Sequence, residues 1–130
     1  MKKLVFIFSV LILSVMAIGC TKEEVLKIGT PFIDDGGEGI KFHSDIKDSA
    51  SIGTLREILN DENDVEKPKD LGEVADTFFS LDRPKEGIAE IRRSVWYQDD
   101  TSSILYSEGA DTYSALTAEQ TNELKRILEQ

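Results

Sequence analysis

Few side chains in this 130-residue sequence have the chemistry of a nucleophile, a base or a metal ligand, and their spacing narrows the options further. Cys20 is the only cysteine and His43 the only histidine. One thiol cannot close an internal disulfide, and one of each residue cannot build a Cys/His zinc site, so neither a metal nor a cofactor is expected. His43 as a general base needs a partner group, and no GxSxG or HExxH motif surrounds it. Carboxylates are plentiful: Asp34 with Asp35, Asp99 with Asp100, and the run Asp61, Glu62, Asp64. Glycoside hydrolysis needs two such groups across a cleft, one with its pKa raised by burial. Here the acids gather in turn-like segments, where solvated charge is the expected state. The stretch DENDVE lacks the sixth-position glycine and the late glutamate of an EF-hand loop. A non-enzymatic protein is expected.

The thiol of Cys20 has a more specific use. Lys2 and Lys3 form a positive start, and Leu4 to Ile18 is an uncharged run interrupted only by Ser9 and Ser14. Such a run spans about 22 Å as a helix, short of the roughly 30 Å hydrocarbon core of a bilayer, and so fits a secretory signal peptide better than a permanent span. Ala17, Ile18, Gly19 and Cys20 resemble the bacterial lipobox, with Ala17 where leucine is more usual. In that motif a small residue lets the peptidase reach the bond, and the cysteine is diacylglycerated and becomes the new N-terminus. Two acyl chains hold a protein on a membrane where one binds only marginally. The alternatives are cleavage after Val15-Met16-Ala17, which releases a soluble protein, and an uncleaved membrane anchor with Cys20 as one more apolar residue. The expected division is residues 1–19 as lipoprotein signal peptide, 20–24 as lipidated cysteine and short tether, and 25–130 as one domain.

Charge narrows the partners. The net charge is −10, from 15 basic and 25 acidic residues, and loss of Lys2 and Lys3 leaves 13 against 25, or −12. A surface that acidic is repelled by phosphate backbones and anionic head groups, so neither nucleic acid nor polybasic membrane adhesion is expected. With 40% apolar residues the chain has the material for a packed core of its own.

The elements that would position any site follow from periodicity. Val25 to Ile33 and Glu38 to Asp45 read as two strands around the glycine-rich turn DDGG. From Asp48 to Asn63 the residues Ile52, Leu55, Ile58 and Leu59 recur with helical spacing behind a capping Asp48 or Ser49. Asp61 to Gly72, charged and carrying Pro68, reads as an exposed loop. Glu73 to Leu81, Gly87 to Gln98 and Ser103 to Leu116 are strand-like, the last divided by Glu108-Gly109-Ala110-Asp111 into a hairpin. The final stretch is helical, with Thr117 and Gln120 spaced as a capping box and Leu124, Ile127 and Leu128 as its apolar stripe. The fold class is α+β: an antiparallel sheet of five or six strands with two helices on one face, preceded by a signal-peptide helix.

On such a sheet Trp96 and Tyr97 face opposite sides, so one of them lies on the face without helices; period two alone does not say which. Trp96, Tyr97, Arg92 and Arg93 are the candidate partner-binding residues, an aromatic and basic strip suited to a strand, a peptide or a sugar. Core packing is the competing use of Phe78, Phe79, Tyr106 and Tyr113 as well.

These positions resemble the small cell-surface lipoproteins of bacilli, including those with a YhfM-like domain. The likeness rests on the lipobox, Phe42 to Asp45, the I-x-x-L-x-x-I-L helix from Ile52, Phe79 to Leu81, Val95-Trp96, Tyr113 and the L-x-x-x-Q-x-x-x-L-x-x-I-L helix from Leu116. It implies a lipoprotein tethered through diacylglyceryl on Cys20 to the outer face of a Gram-positive cytoplasmic membrane; in a Gram-negative host, Thr21 rather than aspartate after the cysteine points, by analogy with lipoprotein sorting, to the outer membrane. Its domain is then expected to contact an envelope protein or a small ligand, with a small envelope enzyme or an enzyme inhibitor as the alternative.

Overall fold

A computed structural model describes residues 23–130. The expected signal peptide, the cleavage residues Ala17, Ile18 and Gly19, and Cys20 lie outside the described residues. Two ten-residue strands, β1 (Val25–Asp34) and β2 (Gly37–Ile46), form the opening hairpin. Helix α1 (Ser49–Asn60) follows, then β3 (Asn63–Val65), β4 (Thr77–Arg83), β5 (Ile88–Tyr97), β6 (Ser103–Ser107), β7 (Thr112–Leu116) and helix α2 (Ala118–Leu128). The seven strands make one sheet in the order β2-β1-β4-β5-β6-β7-β3, antiparallel at every step. No helix among the described residues is long and apolar enough to cross a membrane.

Strand order sets the architecture. β2 and β3 are opposite edges, and α1 is the link between them, so that helix carries the chain across the whole sheet. The segment from β3 back to β4 must recross, because β4 sits beside β1. Its residues 67 and 71–75 line the face opposite the helices, where they act as a strap.

Both helices pack on one face. The core there joins Leu26 and Ile28 of β1, Phe79 and Leu81 of β4, Val95, Leu105 and Leu116 of the next three strands, and the apolar stripes of α1 and α2. Leu55, Leu124, Phe79 and Leu105 have no solvent exposure. The helix ends are as the residues dictate. Asp48 accepts from the N–H groups of Ala50 and Ser51, which holds its carboxyl below the usual carboxylate range with the Ser51 hydroxyl as the first cause. Thr117 and Gln120 close a reciprocal capping box.

The expectation of five or six strands is corrected to seven. The additional strand is β3, inside the stretch read as an exposed loop. Its three residues are all exposed, so no alternation marks them, and its ladder is supplied by Tyr113–Ala115 of β7.

One buried polar contact ties sheet to helix: the hydroxyls of Ser103 (β6) and Thr121 (α2) lie 2.8 Å apart with almost no solvent exposure. Thr121→Val leaves the Ser103 hydroxyl buried without a partner and is expected to cost about 1–3 kcal/mol in urea unfolding. The Ser103→Ala, Thr121→Val double variant is expected to recover most of that loss, since neither orphan remains.

Ion pairs fasten the start of the described chain. Arg56 on α1 bridges Glu24, just before β1, and Glu90 of β5, and Arg83 reaches the same Glu90 at 3.0 Å. Glu90 is delivered by a bulge: Leu81 pairs Ile91 and Asp82 pairs Ala89, leaving Glu90 as the extra residue. The Arg56 hydrogen bond, against desolvation, holds the Glu90 carboxyl below its ordinary range.

Candidate functional site

A groove of about 530 Å³ occupies the sheet face away from the helices. Its floor is Phe78 of β4, Arg92, Ser94 and Trp96 of β5, Tyr106 of β6 and Tyr113 of β7. Spacing by two along β5 puts Arg92, Ser94 and Trp96 on one face, and Ser94, Tyr106 and Tyr113 stand in register across three strands. The rings form a continuous surface: Tyr106 and Tyr113 have centroids 4.8 Å apart, Tyr113 and Trp96 6.5 Å.

One wall is the outer half of the β1–β2 hairpin. β4 pairs with β1 only from Val25 to Gly29, and beyond that point the hairpin continues as a two-stranded arm contributing Pro31, Phe32, Ile33, Glu38, Gly39 and Ile40. Two glycines permit the arm. A Cβ on Gly29 would sit 2.6 Å from Ile40 Cγ2, where a register shift brings the strands close, and one on Gly39 would meet the Phe32 ring at 2.6 Å. Phe32 therefore lies across its neighbouring strand at the groove's mouth, with 42% of its surface exposed.

The strap forms the other wall with Lys67, Leu71, Gly72, Glu73, Val74 and Ala75. Trp96 Nε1 donates to the Gly72 carbonyl at 2.9 Å, the Asp76 N–H donates to the Val95 carbonyl at 2.9 Å, and the Tyr97 N–H donates to the Asp76 carboxylate at 2.7 Å. The tryptophan thus fixes the strap to the end of β5 while its ring face remains part of the groove.

Cations and carboxylates interleave with the rings. The Arg92 guanidinium stands 5.2 Å from the Phe78 centroid and 3.7 Å from a Glu108 oxygen, and Lys67 Nζ is 5.9 Å from the Tyr113 centroid. Glu38, Glu73 and Glu108 add three carboxylates to the lining. The Tyr106 hydroxyl donates to Asp111 at 2.8 Å, and this bond raises its pKa.

The four expected partner-binding residues divide between the two faces. Trp96 and Arg92 line the groove, whereas Arg93 and Tyr97 belong to the helix side. Arg93 pairs with Glu62 at 3.2 Å and Tyr97 packs against the core beneath Lys125, whose Nζ is 4.5 Å from its ring. Burial, with smaller contributions from Glu129 and Asp76, pushes the Tyr97 phenol up to about 12. A phenol whose folded pKa exceeds the ordinary value of about 10 stabilises the fold below pH 10, a contribution lost as pH rises towards 12. Phenolate absorbance is expected to show one tyrosine titrating near 12, and Tyr97→Phe to abolish that step.

The remaining singled-out residues lie elsewhere. His43 is exposed in the β2 bulge, its Nδ1 2.9 Å from the Ser44 hydroxyl. Asp34 accepts from the Gly36 N–H within the first turn, and Asp100 accepts from Ser102 in the β5–β6 turn, which lowers its pKa. Among the described residues no group of three His, Cys, Asp or Glu side chains could hold a metal ion. Sequence reasoning missed Phe32, Lys67 and the carboxylates of the groove; the available signal was Leu71, an apolar residue in an otherwise charged loop, while Val74 and Ala75 were read into a strand that begins only at Thr77.

No protein-family model matches the sequence, and no curated protein is detectably similar to it. Among solved structures the chain is similar to a thioesterase-like protein from Clostridium sporogenes ATCC 15579. That likeness has a TM-score of 0.56 and 13% identity and covers 82% of this chain and 94% of the other. At that identity the agreement concerns the fold.

Proposed function

We propose that this chain is a lipid-anchored extracytoplasmic protein that binds a small ligand, or a segment of an envelope protein, in the aromatic groove without chemistry of its own. The observation that carries the binding reading is the groove itself. Five rings are gathered on the sheet face that the helices leave open, and the Trp96–Gly72 bond holds the strap beside them. The AIGC motif carries the anchoring reading.

Both halves are testable. Cys20→Ser is expected to move the protein from the membrane to the soluble fraction and to remove the mass of a diacylglyceryl group; unchanged fractionation and mass would refute lipidation. Ser94→Phe places a bulky ring on the groove floor and is expected to abolish capture of whatever envelope component the wild type retains, with urea stability unchanged. Equal capture by both forms would show that the groove is not the binding site.

A second reading, favoured by the likeness to a thioesterase-like protein, is an envelope hydrolase of acyl thioesters. A groove carboxylate would take a proton from water as its oxygen adds to the thioester carbonyl; the C–S bond would then break, the carboxyl returning that proton to the departing sulfur, to give a free thiol and a carboxylic acid. Thiol release from an acyl thioester by the purified protein, lost in Glu73→Gln or Glu108→Gln, would establish this reading over the first.

A further inference from the structure

We infer that the ligand of the groove is a cation, a molecule presenting an alkylammonium or guanidinium group. A free amine and a lysine or arginine side chain on a peptide share that chemistry. The inference deepens the binding reading and rests on it. What decides the class is which polar groups of the groove are already engaged. Trp96 Nε1 is spent on the Gly72 carbonyl and the Tyr106 hydroxyl on Asp111, so these two ring donors are not available to the hydroxyls of a sugar. Arg92 is held by Glu108 and the Phe78 ring, so an anion would have to displace an existing pair. Glu38 and Glu73 have no ion pair among the described residues, and they sit exposed on opposite walls.

Ring faces and unpaired carboxylates are the two surfaces that attract a positive charge. The molecule already uses them that way, because Lys67 of the strap stands over Tyr113 and Arg92 over Phe78. Lys67 is an exposed side chain on the strap and can leave the ring without disturbing the core, so an external cation can take its position. The net charge of −10 draws cations towards the whole domain and repels anions.

Trp96 is the only tryptophan, and it lies in the groove, so its fluorescence reports occupancy. The full-length protein in non-ionic detergent would be titrated with N-acetyl-lysine methylamide, its norleucine and glutamate counterparts, and the capped peptide Ala-Ala-Lys-Ala-Ala, all at matched ionic strength. The lysine probe is expected to give a saturable change at least tenfold tighter than norleucine. Glu38→Gln and Glu73→Gln, both surface changes, are each expected to weaken it about threefold or more, and Lys67→Ala to tighten it about threefold, the size of one exposed cation–π contact. Tighter binding of the peptide than of the single residue would identify a polypeptide as the source of the cation; the reverse would identify a free amine. Equal or tighter binding of the norleucine or glutamate probe would overturn the cation class while leaving the groove a binding site. No saturable response to any probe would also overturn it, and the Ser94→Phe capture comparison then decides the groove reading separately.

Discussion

Phe79→Ala is expected to remove about 3–5 kcal/mol from a total stability of about 5–15 kcal/mol and to leave much of the protein unfolded at moderate urea. Phe79 is the largest side chain with no exposure at all. It sits mid-sheet on β4, between Ile28 of β1 and Arg93 of β5 in register, and points into the core beneath the helices. Removing its ring takes apolar surface from the core and leaves a cavity that strands on both sides and helices above cannot collapse to fill. Phe79→Leu keeps most of the volume and is expected to cost under half as much. Denaturant unfolding followed by far-UV circular dichroism checks both; a loss below about 1 kcal/mol for alanine would mean that the core is not packed around this residue.

Glu62→Ala is expected to cost about 2 kcal/mol, although the residue lies outside the hydrophobic core. Glu62 follows the end of α1 and accepts from two directions, from Arg93 of β5 at 3.2 Å and from the Ser114 hydroxyl of β7 at 2.7 Å. It therefore joins the helix end to two strands of the sheet. Arg93 is largely enclosed, with 17% of its side chain exposed, and its Nε is already without a hydrogen-bond partner. Loss of the carboxylate leaves the guanidinium with only the Arg92 carbonyl and the Ser107 hydroxyl as acceptors, in a site that water reaches poorly. Arg93→Met in the same background removes the stranded charge and is expected to restore most of the loss, which separates a charge effect from simple removal of contacts. A double variant no more stable than Glu62→Ala would refute that account.

The two faces of β5 show where reading along the chain stops. Arg92, Ser94 and Trp96 share one side and Arg93, Val95 and Tyr97 the other, an alternation visible in the residues themselves. Which side faces the helices depends on pairings with β4, where the bulge at Glu90 resets the phase, and on where α1 and α2 come to rest. Arg93 reads from sequence as a surface cation and in the fold is an enclosed partner of Glu62, a residue 31 positions away. The strap shows the same limit. Its charge and its proline mark it as a loop, yet its position over the rings follows from β3 and β4 lying far apart in one sheet.

Short-range free energy decided what the sequence alone determined: the caps at Asp48 and Thr117, the apolar stripes of both helices, the turn at Asp34 to Gly37 and the α+β class. Each depends on residues within a few positions of one another, so local spacing records it. The seventh strand, the choice of which β5 face lies beneath the helices, and the groove depend on residues brought together from distant parts of the chain. Their energies come from ladder pairing and burial, which exist only once the sheet has closed its order, so the tertiary structure alone decides them.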